Sequence, residues 1–167
     1  MHDRIRMRAA LPFLASLLVA LCAAPGVSHA YGMTGAGGKL GFASPEDLDG
    51  TMMVGGHMEF EQNGSRLHLM PNLMYWNVDR VSDVNPNFDV YYHFASEGRL
   101  TPYLGGGLGL NVTNSHITDR TRTALGANLI GGFRFPGQAN HYFVEGRYTA
   151  SETPAVALLG GITFKAH

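Results

Sequence analysis

From residue 31 onward the chain repeats one pattern: stretches in which apolar and polar residues alternate, separated by clusters of Gly, Asn, Pro and Ser. Strand side chains point alternately to two faces, so this period of two predicts strands with one apolar face and one polar face. No segment of this part sustains a helical period. Eight strands are expected, over 38–44, 51–61, 65–77, 87–95, 101–112, 122–135, 141–149 and 155–165.

Splitting each strand by parity gives two chemically distinct lists. One is apolar through the middle of every strand, as in Leu40 and Phe42, Met52 and Val54, Leu73 and Tyr75, or Leu125, Ala127, Leu129 and Phe133. The other collects the charges Lys39, Glu59, Glu61, Arg66, Asp89, Arg122, Arg134, Glu145, Arg147 and Lys165, with His57, His68, His93, Asn72 and Asn128 and seven glycines. Alternation alone leaves open which list faces in, because a soluble barrel would turn the apolar one inward. Three features favour lipid outside. Glycine is a poor choice on a solvated strand but suits a crowded small-barrel interior. Aromatics of the apolar list fall near strand ends, at Phe60, Tyr75, Phe94, Phe133, Phe135, Tyr142, Tyr148 and Phe164, where interfacial girdles belong. The strand lengths suit a tilted membrane crossing of about 9–11 residues.

Connections are expected to alternate in length, as in barrels with short periplasmic turns and longer outer loops. Gln62–Ser65, Ser96–Arg99 and Pro136–Asn140 form the short set, with Asn63-Gly64 and Glu97-Gly98 supplying a permissive backbone. Val78–Pro86 and Thr113–Thr121 are the longer, polar ones, accompanied by Pro45–Gly50 and Ala150–Pro154. No linker divides residues 31–167, so one domain is expected there.

The first thirty residues are different. Arg4, Arg6 and Arg8 precede an apolar run from Ala9 to Ala24, followed by Pro25-Gly-Val-Ser-His-Ala30. The run is too short for a spanning helix, and Ser28 and Ala30 put small residues where signal peptidase requires them. Residues 1–30 are therefore expected to be an export signal cleaved after Ala30. The single cysteine, Cys22, lies within it, preceded by the bulky Leu21 that disfavours lipidation, so the exported part has no thiol for a disulfide, thiolate metal site or nucleophile. Without the signal the 12 Lys and Arg fall to nine and the 13 Asp and Glu to twelve, a formal charge near −3. That is not the balance of a nucleic-acid binder.

Pro102-Tyr-Leu-Gly-Gly-Gly-Leu-Gly-Leu110, Leu125-Gly-Ala-Asn-Leu-Ile-Gly-Gly-Phe-Arg-Phe135 and Tyr142-Phe-Val-Glu-Gly-Arg-Tyr148 resemble the later strands of eight-stranded outer-membrane barrels of the OmpA and OmpX type. Leu158-Leu-Gly-Gly-Ile-Thr-Phe164 resembles their final strand, which carries an aromatic signal read by the barrel-assembly machinery. This chain departs from that pattern by ending Lys165-Ala-His167 beyond the aromatic. The resemblance covers residues 31–167 and is specific in the last third. It implies an all-β, eight-stranded up-and-down transmembrane barrel in the outer membrane, contacting lipid, with the assembly machinery as a partner in biogenesis.

An eight-stranded barrel is just wide enough to be filled by its own side chains, which disfavours a general porin. The expected role is non-enzymatic, structural or surface-interacting, with specificity in the outer loops. Each buried ion then needs a partner. The proposed interior network sets Glu59, Asp89 and Glu145 against Arg66, Arg134 and Arg147. A barrel enzyme acting on lipid A or peptides is one alternative, with Ser115-His116 beside Asp119 as its candidate cluster. Neighbours in one polar loop rarely hold a nucleophile within hydrogen-bond reach of its base, and the local motif of lipid A deacylase barrels is missing, so no catalytic residue is assigned. A soluble periplasmic barrel holding an apolar ligand, with Trp76 at its mouth, is the other. No cofactor or metal is expected: His57, His68 and His93 come from separate strands, where interior hydrogen bonding is the commoner role. Met52, Met53, Met58, Met70 and Met74 read as packing or lipid contact.

Overall fold

The computed structural model describes residues 31–96, 98–115 and 120–166, so the expected export signal lies outside the described residues. Eight strands form a closed antiparallel barrel in sequence order. They are β1 (Gly32–Pro45), β2 (Thr51–Glu61), β3 (Leu67–Val78), β4 (Val81–His93), β5 (Thr101–Ser115), β6 (Arg120–Pro136), β7 (Asn140–Ala150) and β8 (Ala155–Lys165). Closure comes from β1 pairing with β8, from Gly35 opposite Lys165 to Pro45 opposite Ala155. Every strand then has two neighbours, so no edge is left with unpaired backbone groups.

The faces fall as the lipid-outside reading requires. Phe42 and Leu125 are each 67% exposed, while Asp89 and Glu145 are at 0%. A soluble barrel with the same strands would show the opposite. Along β6 the outward apolar residues run from Leu125 to Phe135. Ten residue steps at about 3.3 Å each, tilted by about 40°, rise roughly 25 Å, the height of an outer-membrane barrel's apolar band.

The interior is layered. Toward the end away from the chain termini, Ala43, Met53, Met74, Trp76, Ala157 and Leu159 form an apolar cluster. Lower down, Met70, Tyr91, Tyr103, Ile130 and Phe143 form a second. Met53, Met70 and Met74 thus pack inside, and Met52 and Met58 face outward. Trp76 is buried among interior side chains rather than standing at a mouth.

Glycines make room for the interior rings. A Cβ at Gly105 would overlap the Tyr91 ring, and one at Gly161 would overlap the Phe143 ring. Two prolines sit inside strands and mark gaps in the ladder. Pro71 is matched with Phe88 on β4, whereas the β2–β3 pairing is interrupted between His57–Asn72 and Phe60–Leu69. Pro86 is matched with Leu73 on β3, and the β4–β5 pairing skips it. Each proline lacks the N–H its other neighbour would need.

Two expectations about connections are corrected. Val78–Pro86 is not a long loop: β3 continues to Val78, β4 starts at Val81, and only Asp79 and Arg80 turn the chain. Both have positive φ, 48° and 69°, the backbone of a two-residue type I′ hairpin. The polar residues that imitated a loop, Asp83, Asn85 and Asn87, lie on the inward face of β4, where Asp83 and Asn85 are buried. Thr113–Thr121 is likewise mostly strand, because β5 runs to Ser115 and β6 begins at Arg120. The short-and-long alternation therefore belongs to strand projection rather than loop length. β1 also begins at Gly32, six residues before the expected 38, since its glycine-rich start pairs with β8 without showing alternation. At Asn63-Gly64, Gly64 has φ of 79°, as a tight hairpin demands.

Candidate functional site

Apart from Asp83, which bonds Asn85 and Thr113, the buried charges gather in two clusters. The ions of the central one come from three strands, β1, β4 and β7. Lys39 on β1 lies 3.0 Å from Glu145 on β7, and Arg147, two residues along β7, lies 2.8 Å from Asp89 on β4 and 3.4 Å from Glu145. Two cations and two anions thus balance within one layer. Neutral donors complete it. The Tyr91 and Tyr103 hydroxyls donate to Glu145 Oε2 at 3.1 and 3.3 Å, and Lys39 Nζ donates to the Tyr91 hydroxyl at 3.1 Å. Asn72 and Asn128 donate to the two oxygens of Asp89 at 2.8 and 3.0 Å. The stacked rings of Tyr91 and Tyr103, 5.2 Å apart, wall this layer.

The second cluster is centred on Glu59 of β2, nearer the end that carries the termini. Arg134 on β6 donates to Glu59 Oε1 at 3.2 Å, while His68 Nδ1 and His141 Nε2 lie 2.7 and 3.0 Å from its two oxygens. Arg134 also reaches His141 Nδ1 at 2.9 Å. A guanidinium on the carboxylate makes this an ion-pair centre, and among the described residues no group of three or more His, Cys, Asp and Glu is placed to hold a metal. Beside it is a void of about 10 Å³, bordered by Glu59, His93, Tyr103 and Phe143. That is room for about one water.

Of the six residues expected in the network, Glu59, Asp89, Arg134, Glu145 and Arg147 lie in these clusters, and Arg66 does not. Arg66 is exposed in the bend before β3, with its carbonyl bonded to His93 N at 2.9 Å. The Asn63-Gly64 turn delays the ladder to Leu67, so Arg66 stands at a solvated rim where its charge needs no buried partner. Lys39 is the partner that Glu145 takes instead. Lys39 and His68 stand on the charged face by parity, and His141, which was not singled out, shares the inward phase of β7 with Glu145 and Arg147. The pairings Lys39–Glu145 and His141–Glu59 were not legible, because they join strands that meet only through barrel closure.

Of the candidate cluster Ser115, His116 and Asp119, only Ser115 lies within the described residues, at the end of β5.

Closed, meandering, eight-stranded and apolar on its outer wall, the chain has the fold of the small outer-membrane β-barrels. The solved structures agree. The chain is similar to Neisserial surface protein A, NspA, with TM-score 0.67 and 14% identity over 81% of this chain and 97% of that one. It is also similar to the outer membrane enzyme PagL, with TM-score 0.52 and 10% identity over 76% of this chain and 97% of that one. At these identities the likeness is one of fold. No protein-family model matches the chain, and no curated protein matches it.

Proposed function

We propose that the protein is a non-enzymatic outer-membrane barrel, exported by residues 1–30 with cleavage after Ala30, whose role is structural or surface-interacting. The observation that carries this reading is a sealed charged interior within an apolar wall. The lumen is crossed by Lys39–Glu145, Arg147–Asp89 and Arg134–Glu59, and the void at the Glu59 layer has room for no more than about one water. A core of paired charges suits an interior that never meets lipid, and an apolar exterior suits a surface that never meets water. Membrane lipid is the partner of the outer wall. The barrel-assembly machinery is the partner in biogenesis, reading β8 through Phe164. NspA, a surface protein, and PagL, an enzyme, share the fold, so fold alone does not choose between their roles.

Conductance tests the sealed interior. In planar bilayers the refolded protein is expected to give no steady ion conductance, because current would have to break paired charges in two successive layers. Stable single-channel steps from the unmodified protein would contradict the closed-barrel reading and favour a channel.

A further inference from the structure

The Glu59 layer closes the end of the barrel that carries the termini, and its hydrogen bonds fix where the protons sit. A guanidinium only donates, so Arg134 bonding His141 Nδ1 at 2.9 Å requires that nitrogen to be bare. His141 then carries its proton on Nε2 and donates it to Glu59 Oε2 at 3.0 Å. These bonds make His141 a singly protonated ring held between an arginine and a carboxylate. A second proton has one place to go, Nδ1, where it meets the N–H of Arg134.

The groups around His141 decide what gives way. Glu59 on β2 already takes Arg134 at 3.2 Å and His68 of β3 at 2.7 Å. His68 has a further carboxylate, Glu61, at 3.6 Å, a counter-ion that His141 lacks. From β8, Thr163 stands opposite His141 and bonds His57 of β2 at 2.8 Å. Tyr91 and His93 of β4 and Tyr103 of β5 border the same small void as His141. Farther in, Lys39 of β1 and Glu145 of β7 satisfy each other, and at the rim Lys165 of β8 bonds carbonyls of the β6–β7 turn. With His141 charged, Glu59 faces both that ring and the guanidinium, and a buried cation without its own partner is costly. Arg134 is the group that can leave, because its side chain is 21% exposed against 1% for Glu59 and 5% for His141.

We infer that the Glu59 layer is an acid-operated latch: a second proton on His141 expels Arg134 to the aqueous rim, leaves Glu59 to the histidines and lets water reach the void behind them. His93, on the wall of that void, has a buried Nδ1 with no partner among the described residues, which entering water satisfies. The central layer keeps its own balanced charges, so the latch hydrates one end of the barrel without opening a channel.

A thiol reporter tests the latch. Thr163 borders the void and is fully buried, so Thr163→Cys in a Cys22→Ser background puts the only thiol of the chain there. The refolded protein in lipid vesicles is treated with a water-soluble methanethiosulfonate at about pH 8 and at about pH 5, the span over which imidazoles titrate. Rates are divided by those of Gln138→Cys in the same background, exposed on the β6–β7 turn, to remove the thiolate's own pH dependence. The expected normalised rate is about tenfold or more higher at the acid pH, a shift that one titrating proton can drive across this span. His141→Gln is expected to abolish the rise, since an amide accepts from Arg134 and donates to Glu59 as the singly protonated ring does but takes no proton. Arg134→Ala is expected to label fast at both pH values. A reporter equally protected at both pH values, an undiminished rise in His141→Gln, or a protected reporter in Arg134→Ala would overturn the latch. Loss of the heat-dependent gel mobility at the acid pH would make the opening a general unfolding and overturn it as well. Conductance at neutral pH tests the sealed interior and not this step, so the two readings fail separately.

Discussion

Arg147 is the residue on which the central layer depends. It touches both Asp89 and Glu145, so replacing it by Met leaves two buried carboxylates with a single cation, Lys39, which bonds only one of them. Lys39→Met is milder, because Glu145 keeps Arg147 at 3.4 Å and two tyrosine hydroxyls. Removing one partner of a buried pair typically costs about 3–5 kcal/mol. Arg147→Met is expected to lose that much in urea unfolding from lipid vesicles, and Lys39→Met clearly less. Equal losses would mean that the two cations are not used as their contacts suggest. At this scale the sequence was only partly legible. Parity places Glu59, Asp89, Arg134, Glu145 and Arg147 on one face, but which meets which depends on barrel closure and strand stagger. Arg66 had the right parity and missed the interior because a turn, not a strand, holds it.

At the scale of the element, each strand has to satisfy two solvents at once. β6 shows this most plainly: Leu125 and Leu129 are 67% and 66% exposed, while Asn128 and Ile130 between and beside them are buried. Leu129→Arg puts a charge into the middle of the outer band. Such a charge at the bilayer midplane costs about 2–4 kcal/mol in a membrane barrel and almost nothing on a solvated wall. Folding into lipid vesicles is expected to be weakened by that amount, and an unchanged unfolding midpoint would speak against lipid contact at β6. The alternation that makes this argument also made all eight strands legible. Strand ends were less so. Asp79-Arg80 forms its hairpin without the Asn-Gly that announces such a turn, and the inward Asp83, Asn85 and Asn87 have the composition of a loop. In a barrel with a polar interior, polarity no longer separates strand from loop.

At the scale of the whole molecule, the girdle is asymmetric. Phe60, Phe94, Phe133, Phe135, Tyr142 and Phe164 all sit at the end that carries the termini, whereas Tyr75 and Tyr148 lie toward the other. Aromatic rings anchor at membrane interfaces, so this collar marks one edge of the band and sets the depth of the barrel. The projecting ends of β5 and β6, with Arg120 and Arg122, then stand beyond the opposite edge. The proposed function places the protein in the outer membrane as a lipid-facing barrel, and the most direct test is separation of inner membrane, outer membrane and periplasm from expressing cells, followed by gel electrophoresis of the extracted protein with and without boiling. Recovery in the outer membrane, with a mobility that changes on boiling, is the expected result. Recovery as a soluble periplasmic monomer without detergent would contradict the assignment of the apolar face to lipid.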